Sequence, residues 1–366
     1  MGRLYRFHPI RGQPGGAQVL AACSSRQEGA LFHRTMFVLT DSPPSSEVLL
    51  PATTAWRALR AGDLAAEDRA LWRAVATGEA LHGADLDDER RGSFWDRLVI
   101  VDEAPASQFD ALRDLGRGGP LADRPVACLA LSGRKFHGHR ERAWVAERGN
   151  LHLSARIAPR LPAQQLLPAL TMLPAVAAVE AVAAATGGRV VPGIKWVNDV
   201  LLDDRKICGV LTSTQTRQNL VEAAVLGVGL NVERAPAVPP TRFVPAVGCL
   251  AERQEAVDAT LATVTWALLG RLGELYRELA SSGPGALLER YRRASVIVGE
   301  HVRIYADDFG ERESDGKWPA PIVVGQVERI EADLSLRLRG LAEPVTRGRL
   351  AFERVCQRFE SKRAPG

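Results

Sequence analysis

Residues 161–186 constrain the fold of this chain more than any other part of its sequence. This segment is rich in alanine and leucine and is followed by Gly187 and Gly188, which is typical of a helix that ends in the left-handed conformation. It also carries Glu180, two glutamines and three prolines. It therefore predicts a buried helix, kinked near Pro174, rather than a membrane span. A chain of 366 residues is long enough to build a core around it within two or three domains.

Short strand candidates lie on both sides of this helix in the sequence. Residues 126–132 form an apolar run, and residues 151–157 alternate with period two, as a half-buried strand does. Apolar positions from Val257 to Leu279 then step by three and four, which predicts a second, amphipathic helix. Further strand candidates are residues 190–197, 206–213 and 221–232. The pattern predicts an α+β fold with a central mixed or antiparallel sheet and flanking helices.

We divide the chain into three predicted domains: residues 1–95, 96–285 and 286–366. Residues 1–95 show no pattern of a known kind beyond helical spacing of apolar residues in positions 55–81, and we expect an accessory region. A helical DNA-binding piece there is a disfavoured alternative, because no recognition helix with clustered basic residues is visible. Residues 286–366 contain alternating strands separated by glycine, which predicts a small β-barrel.

Composition excludes several classes of protein. With 46% hydrophobic and 25% charged residues, the chain is globular rather than disordered. A net charge of +4 without a long basic run gives no reason to expect nucleic acid as a partner. The five cysteines form no CxxC motif and the histidines show no metal-ligand spacing, so we expect reduced thiols and no metal site. The first residues contain no apolar signal segment, so we expect a cytoplasmic protein without membrane attachment.

Lys195 stands in the stretch GIKWVNDVLL, residues 193–202, which otherwise resembles a buried strand. An isolated lysine at a strand end usually extends its ammonium to solvent. Here the flanking Ile194 and Trp196 predict desolvation, so an anionic partner such as a carboxylate or a phosphate is expected. The Asn198-Asp199 pair is also compatible with a simple turn.

Two further segments suggest ligand contacts. Residues 133–144, GRKFHGHRERAW, combine glycines with basic residues directly after a strand, which suits a loop that binds an anion, although a solvated basic loop is equally compatible. In residues 226–232, LGVGLNV, Gly227 and Gly229 would let a flat ligand or another backbone approach the strand, and Asn231 offers a donor and an acceptor, although a glycine-bearing core strand is also compatible. This spacing is not the GxGxxG dinucleotide fingerprint.

The order of these motifs is more specific than any one of them, and it resembles the biotin protein ligases of the biotin/lipoate protein ligase superfamily. The resemblance covers about 260 residues, from Leu98 to Val355, and a further segment, ASQFDAL (106–112), looks like the entry to the biotin loop of that family. The matching motifs are GHRERAW (138–144), GNLHLS (149–154), KWVNDVLL (195–202), RKICGVLT (205–212) and LGVGLNV (226–232).

The resemblance implies a catalytic domain like those of class II aminoacyl-tRNA synthetases, with an SH3-like C-terminal domain. It implies that biotin and ATP, with Mg²⁺, form biotinoyl-AMP and pyrophosphate, and that a lysine of a biotin carboxyl carrier domain of a carboxylase then takes the biotinoyl group. By the same resemblance, Lys195, Arg140 and Arg142 are the catalytic residues. The residues implied to bind biotin or ATP are Ser107, Gln108, Gly138, His139, Trp144, Asn198, Asp199, Gly209, Gly229 and Asn231.

The sequence departs from the family pattern at five motif positions, and two of them are Ala106 and Gln108, which stand where the family more usually has serine and asparagine. His139 stands where the family commonly has arginine, Glu141 where it has glycine, and Val197 where it has proline. A neutral histidine and an added carboxylate weaken the positive field near phosphates. Two alternatives therefore stay open: a lipoate or octanoate ligase of the same superfamily, and a regulator that binds biotin or its adenylate without transfer.

Overall fold

The computed structural model describes residues 35–76, 78–86, 94–115, 121, 124–307 and 320–361. These described residues form one compact unit. The helices are α1 Pro43–Ser46, α2 Ala66–Val75, α3 Gln108–Leu115, α4 Ala163–Ala185, α5 Leu261–Ser282, α6 Gly285–Ala294 and α7 Glu353–Ser361. The strands are β1 Met36–Thr40, β2 Arg57–Ala58, β3 His82–Leu86, β4 Arg97–Ala104, β5 Val126–Gly133, β6 Leu151–Ile157, β7 Leu161–Pro162, β8 Gly193–Lys195, β9 Asp199–Leu202, β10 Arg205–Arg217, β11 Leu220–Leu230, β12 His301–Tyr305, β13 Val323–Ile330, β14 Leu336–Leu338 and β15 Arg349–Phe352.

The described strands before β12 form one large sheet in the order β2-β3-β1-β4-β5-β6-β11-β10-β9-β8, with β7 paired to β11. Strand β4 is parallel to β1 and to β5, and the other pairs are antiparallel. The prediction of an α+β fold with a central mixed sheet is confirmed.

Alternation along β4 shows how the sheet separates two cores. Leu98 and Ile100 join the apolar cluster that contains helix α4, whereas Val99 and Val101 join a second cluster with residues of helices α2 and α3. Successive side chains of a strand point to opposite faces, so one strand contributes to both cores. The sheet is thus covered by helices on both faces, which holds its strand ends in fixed positions.

Helix α4 is the buried helix that the sequence predicts. Among the described residues it is the one helix long and apolar enough to cross a membrane, and most of it is buried inside the protein, which identifies it as a core helix. Glu180 is neutralised by Arg290 of helix α6 at 2.9 Å. The helix continues through Pro174 to Ala185, and Gly187 and Gly188 follow with φ of +58° and +78°, as predicted.

Residues 35–86 add strands to the central sheet. Strand β1 pairs in parallel with β4, and β3 pairs with β1, so the sheet crosses the predicted domain boundary at residue 95. The predicted helical stretch 55–81 was wrong in extent: the helix covers only Ala66–Val75, and Trp56 lies outside it. Within residues 35–76 and 78–86, no separate helical DNA-binding domain is present. The functional division into three domains stays a prediction, and residues 1–34 of the accessory region lie outside the described residues.

The C-terminal part forms a second, small sheet. Its strands follow the order β14-β13-β12-β15 and are all antiparallel, in agreement with the barrel-like domain that alternation predicts. It is joined to the large sheet by a hydrogen bond from the indole nitrogen of Trp196 to the carbonyl of Leu334, at 2.7 Å. Two helices differ from prediction. Helix α5 starts at Leu261, so the exposed Val257 precedes it, and helix α7 as a whole was not predicted.

Candidate functional site

Lys195 is buried at the end of β8, with 4% of its surface exposed. Its Nζ donates to the carbonyl oxygen of Phe243 at 2.5 Å, and the nearer carboxylate oxygen of Asp199 lies 4.0 Å away. Burial is the main cause that lowers the pKa of this ammonium to about 8; Asp199 opposes the change, and Lys206 and other nearby cations contribute to it. The charge of the ammonium is therefore incompletely compensated within the protein, as expected for a cation that binds an anionic ligand.

Asp199 links two lysines. Its Oδ1 lies 2.6 Å from the Nζ of Lys206, and its backbone pairs with Lys195 in the β8–β9 hairpin and with Gly209 on β10. Burial would raise the pKa of this carboxyl, but Lys206 and Lys195 hold it below its usual value. One carboxylate thus faces two ammonium groups, and this cluster carries a net positive charge at neutral pH.

Asn198 holds the turn between β8 and β9 in place. Its Nδ2 donates to the carbonyl of Val210 at 2.8 Å, while the amide of Val210 donates to the carbonyl of Asn198 at 2.9 Å. The side-chain amide nitrogen is therefore engaged within the fold. The predicted ligand contact of Asn198 stays a prediction.

Gly209 and Gly229 form a direct cross-strand pair between β10 and β11. The flat group over this glycine pair is the indole of Trp144. A Cβ atom on Gly229 would lie 2.4 Å from Trp144 Cε2, and one on Gly209 would lie 3.3 Å from Trp144 Cζ3. The Nζ of Lys206 lies 5.9 Å from the Trp144 ring centroid, within range of a cation–π interaction. The glycines predicted from sequence thus let the basic loop pack against the sheet, beside the lysine cluster.

The basic loop, residues 133–146, is a closed hairpin between β5 and β6. Gly133 bridges to Ala146 and His137 to Ala143, and the amide of Gly138 donates to the carbonyl of Arg142 at 2.7 Å. Arg140 and Glu141 both adopt a left-handed conformation with φ of +56° at the tip.

The charged side chains at this tip face outward. Arg140 and Arg142 are exposed. Arg140 lies 3.7 Å from Asp307 of the C-terminal part, while the field of Arg142 acts on both Lys195 and Asp199. Burial and the charge of Arg142 lower the pKa of His139, so His139 adds no fixed charge at neutral pH.

His137 ties one arm of the loop to helix α3. Its Nε2 lies 2.6 Å from Asp110 Oδ2, and Asp110 is also bonded to Arg113 at 2.8 Å. Although burial opposes protonation of His137, the hydrogen bond to Asp110 raises its pKa. The loop is therefore connected to the helix that begins at Gln108, directly after Ser107; these are the two residues that the family resemblance implies to bind biotin.

Ser107 and Gln108 are buried at the start of helix α3, next to Phe109, which fills the space left by Gly227 on β11. Both polar atoms of the Gln108 side chain are buried without a hydrogen-bond partner among the described residues. The Oδ1 of Asn231 is in the same state, although its Nδ2 donates to Gly248 at 2.9 Å. Buried amides are nearly always hydrogen-bonded, so these groups are candidates for hydrogen bonds to a polar ligand.

Sequence reasoning placed neither Lys206 nor Phe243 among the site residues. Lys206 stands in the RKICGVLT motif, and its position two residues beyond the β9–β10 turn could have indicated that it faces Asp199. Phe243 acts through its backbone carbonyl, which leaves no signal in the side-chain sequence. In the part of the chain that the structure describes, no three His, Cys, Asp or Glu side chains converge as a metal site would require.

Comparison with known proteins shows which family this part of the chain is similar to. Residues 125–231 match the biotin/lipoate A/B protein ligase family. The bifunctional ligase/repressor BirA of Bacillus subtilis strain 168 is 32% identical over 140 residues, and that of Bacillus spizizenii is 33% identical over 138 residues. Residues 125–231 of this chain therefore carry the biotin/lipoate A/B protein ligase domain. The BirA alignments cover 38% and 37% of this chain and 41% of each relative.

The family fold extends beyond the matched residues. The biotin protein ligase of Aquifex aeolicus in complex with biotin and ATP aligns with a TM-score of 0.52 and 18% identity, covering 70% of this chain and 98% of that one. A second structure from that organism, without ligand, gives a TM-score of 0.50 and 17% identity, covering 70% of this chain and 98% of that one. At this identity the likeness establishes the fold alone.

Proposed function

We propose that this chain is an ATP-dependent biotin ligase. It joins the carboxylate of biotin to the α-phosphate of ATP, releases pyrophosphate, and transfers the biotinoyl group to a lysine of a biotin carboxyl carrier domain, with release of AMP. The observation that carries this proposal is the buried Lys195 ammonium beside Lys206 and Asp199. A fixed cation in a site shielded from water stabilises the charge of two anionic reactants that approach each other.

The loop supplies the remaining positive charge. Arg140 and Arg142 stand exposed at its tip, where they can close over phosphate oxygens, and Trp144 gives the ligand an aromatic wall beside the glycine pair. No covalent enzyme nucleophile is required, because positioning and electrostatics suffice for acyl-adenylate formation. We propose that Mg²⁺ arrives with the ATP phosphates as part of the substrate.

The unpartnered amide of Gln108 supports a ligand that both donates and accepts hydrogen bonds. The ureido ring of biotin has this character, whereas the tails of lipoate and octanoate do not. Asn231, with its unpartnered Oδ1, is proposed to bind the adenine. Relatives named ligase/repressor and a fold neighbour that binds biotin and ATP support the same reading. We propose that the reaction takes place in the cytoplasm. Of the two activities in the relatives' name, ligase and repressor, we propose the ligase activity for this chain.

Pyrophosphate exchange tests the proposal. Purified protein should exchange labelled pyrophosphate into ATP with biotin, and much less with lipoate or octanoate, and it should then biotinylate a carrier domain. A carrier domain whose target lysine is replaced by arginine serves as the matched control. Exchange only with lipoate or octanoate would assign the chain to the other branch of the family. Biotin binding without exchange or transfer would identify a regulator, in which His139 and Glu141 weaken the phosphate loop.

A further inference from the structure

His152 lies on β6 under both arms of the basic loop. Its Nδ1 is 3.2 Å from the indole nitrogen of Trp144, and its Nε2 is 3.1 Å from the carbonyl oxygen of Glu147. The Phe136 ring meets the imidazole edge-on, with 5.9 Å between the centroids. The backbone amide of Trp144 also donates to the carbonyl of Phe136 at 2.9 Å. His152 therefore contacts both residues that this backbone hydrogen bond joins across the loop.

These contacts determine the state of the imidazole. An indole nitrogen can only donate, so Nδ1 of His152 must accept, and the hydrogen on Nε2 donates to Glu147. Burial lowers the pKa of His152 to about 4, which keeps this neutral form through the working pH range. The acceptor that holds Trp144 is therefore permanent at neutral pH.

We propose that His152 is a positioning residue of the ligase site, which holds the Trp144 indole flat across the pair Gly209 and Gly229 and so fixes the stem of the basic loop. His137 holds the other arm through Asp110. With both arms anchored, only the tip that carries Arg140 and Arg142 is free to close over phosphates. The effect on catalysis rests on the proposed function, whereas the anchoring does not.

Two substitutions separate anchoring from general packing. His152→Phe keeps a ring but removes the acceptor for Trp144, and His152→Asn keeps an acceptor near the position of Nδ1. We expect faster amide hydrogen exchange across residues 136–146 in the phenylalanine variant, and exchange close to wild type in the asparagine variant. Trp95→Phe is the matched control, because it removes a buried indole hydrogen bond to Leu269, 2.9 Å long, on helix α5. It should leave the loop unchanged.

Activity provides the second measurement. Biotin-dependent pyrophosphate exchange should fall about tenfold or more in His152→Phe, since small displacements of positioning groups have effects of this size, and the asparagine variant should recover most of it. In a Trp144→Phe background, His152→Phe should add little further loss, because the contact it breaks is already absent. If His152→Phe does not fold, slow solvent exchange of the Trp144 indole hydrogen in the wild type, assigned by its disappearance in Trp144→Phe, tests the same contact.

The outcomes separate the two proposals. Unchanged loop exchange in His152→Phe, equal effects of the asparagine and phenylalanine variants, or rapid exchange of the Trp144 indole hydrogen would overturn the positioning role, whatever the activity. The expected exchange pattern in a protein without biotin-dependent activity would support the anchoring of the loop and refute the proposed function.

Discussion

Replacing Lys195 by methionine removes one buried charge and keeps an unbranched side chain of similar length. We expect the Lys195→Met variant to fold, to equal or exceed the wild type in stability at pH 7, and to lose adenylate formation. The reason is that the ammonium sits in a buried site without a full ionic partner, with its carboxylate neighbour Asp199 at 4.0 Å.

The magnitude follows from the pKa. The pKa of Lys195 falls from 10.5 to about 8 in the folded protein. A difference of about 2.5 units corresponds to about 3 kcal/mol by which folding disfavours the charged form. Below pH 8 both the folded and the unfolded chain carry the proton, so the whole penalty applies. Between pH 8 and 10.5 the unfolded chain binds more protons, so wild-type stability rises with pH. Loss of the bond to Phe243 offsets about 1 kcal/mol of the gain expected in the variant.

Urea unfolding from pH 7 to pH 9.5 measures this difference. At pH 7 the variant should be more stable than the wild type by about 0–3 kcal/mol, and the gap should narrow as pH rises above 8. Pyrophosphate exchange should fall by about 10²–10³-fold, the range found when one electrostatic stabiliser of a transition state is removed. A variant that is clearly less stable than the wild type, or that keeps full exchange, would refute the view that this ammonium is held for a substrate anion.

Three further predictions concern the same cluster. The value of kcat/KM for pyrophosphate exchange should fall as pH rises above about 8, because the ammonium form of Lys195 is the active one. A kcat/KM that stays constant up to pH 10 would contradict this. Asp199→Asn should move that fall to lower pH, because Asp199 raises the pKa of Lys195, and should destabilise the fold by about 3–5 kcal/mol in urea unfolding. Gly229→Ala should displace the Trp144 ring, since the new Cβ would lie 2.4 Å from it, and calorimetry should report weaker biotin binding, with unchanged binding as the contrary result.

The periodicity of apolar residues and the glycines at the ends of elements predicted most of the fold. The apolar segment that became helix α4, the alternating strand β6 and the glycine pair after the helix all specify their structure locally. The strands of residues 35–86 were not anticipated, because β1 and β3 gain their stability from partners distant in sequence. Pairing of that kind leaves little trace in a short window of residues.

The site could be predicted from the sequence where it depends on the chemical nature of a side chain rather than on a backbone group. The burial of Lys195 followed from its apolar neighbours, and the close approach of another group to Gly229 followed from the missing side chain, although a ligand or another backbone was expected there. That this group is Trp144 required the loop to be placed in three dimensions. The carbonyl of Phe243, which holds Lys195 in this state, belongs to a loop 48 residues away and could not be inferred from composition or spacing.

We propose that the Lys195 ammonium meets the acyl-phosphate group formed from biotin and ATP. The sharpest test is a crystal structure with a non-hydrolysable analogue of biotinoyl-AMP. We expect Nζ of Lys195 to lie within about 2.7–3.2 Å of an oxygen of the acyl-phosphate linkage, with Arg140 and Arg142 closed over the phosphate. An analogue bound elsewhere, or bound while Lys195 keeps only its contact with Phe243, would contradict the claim.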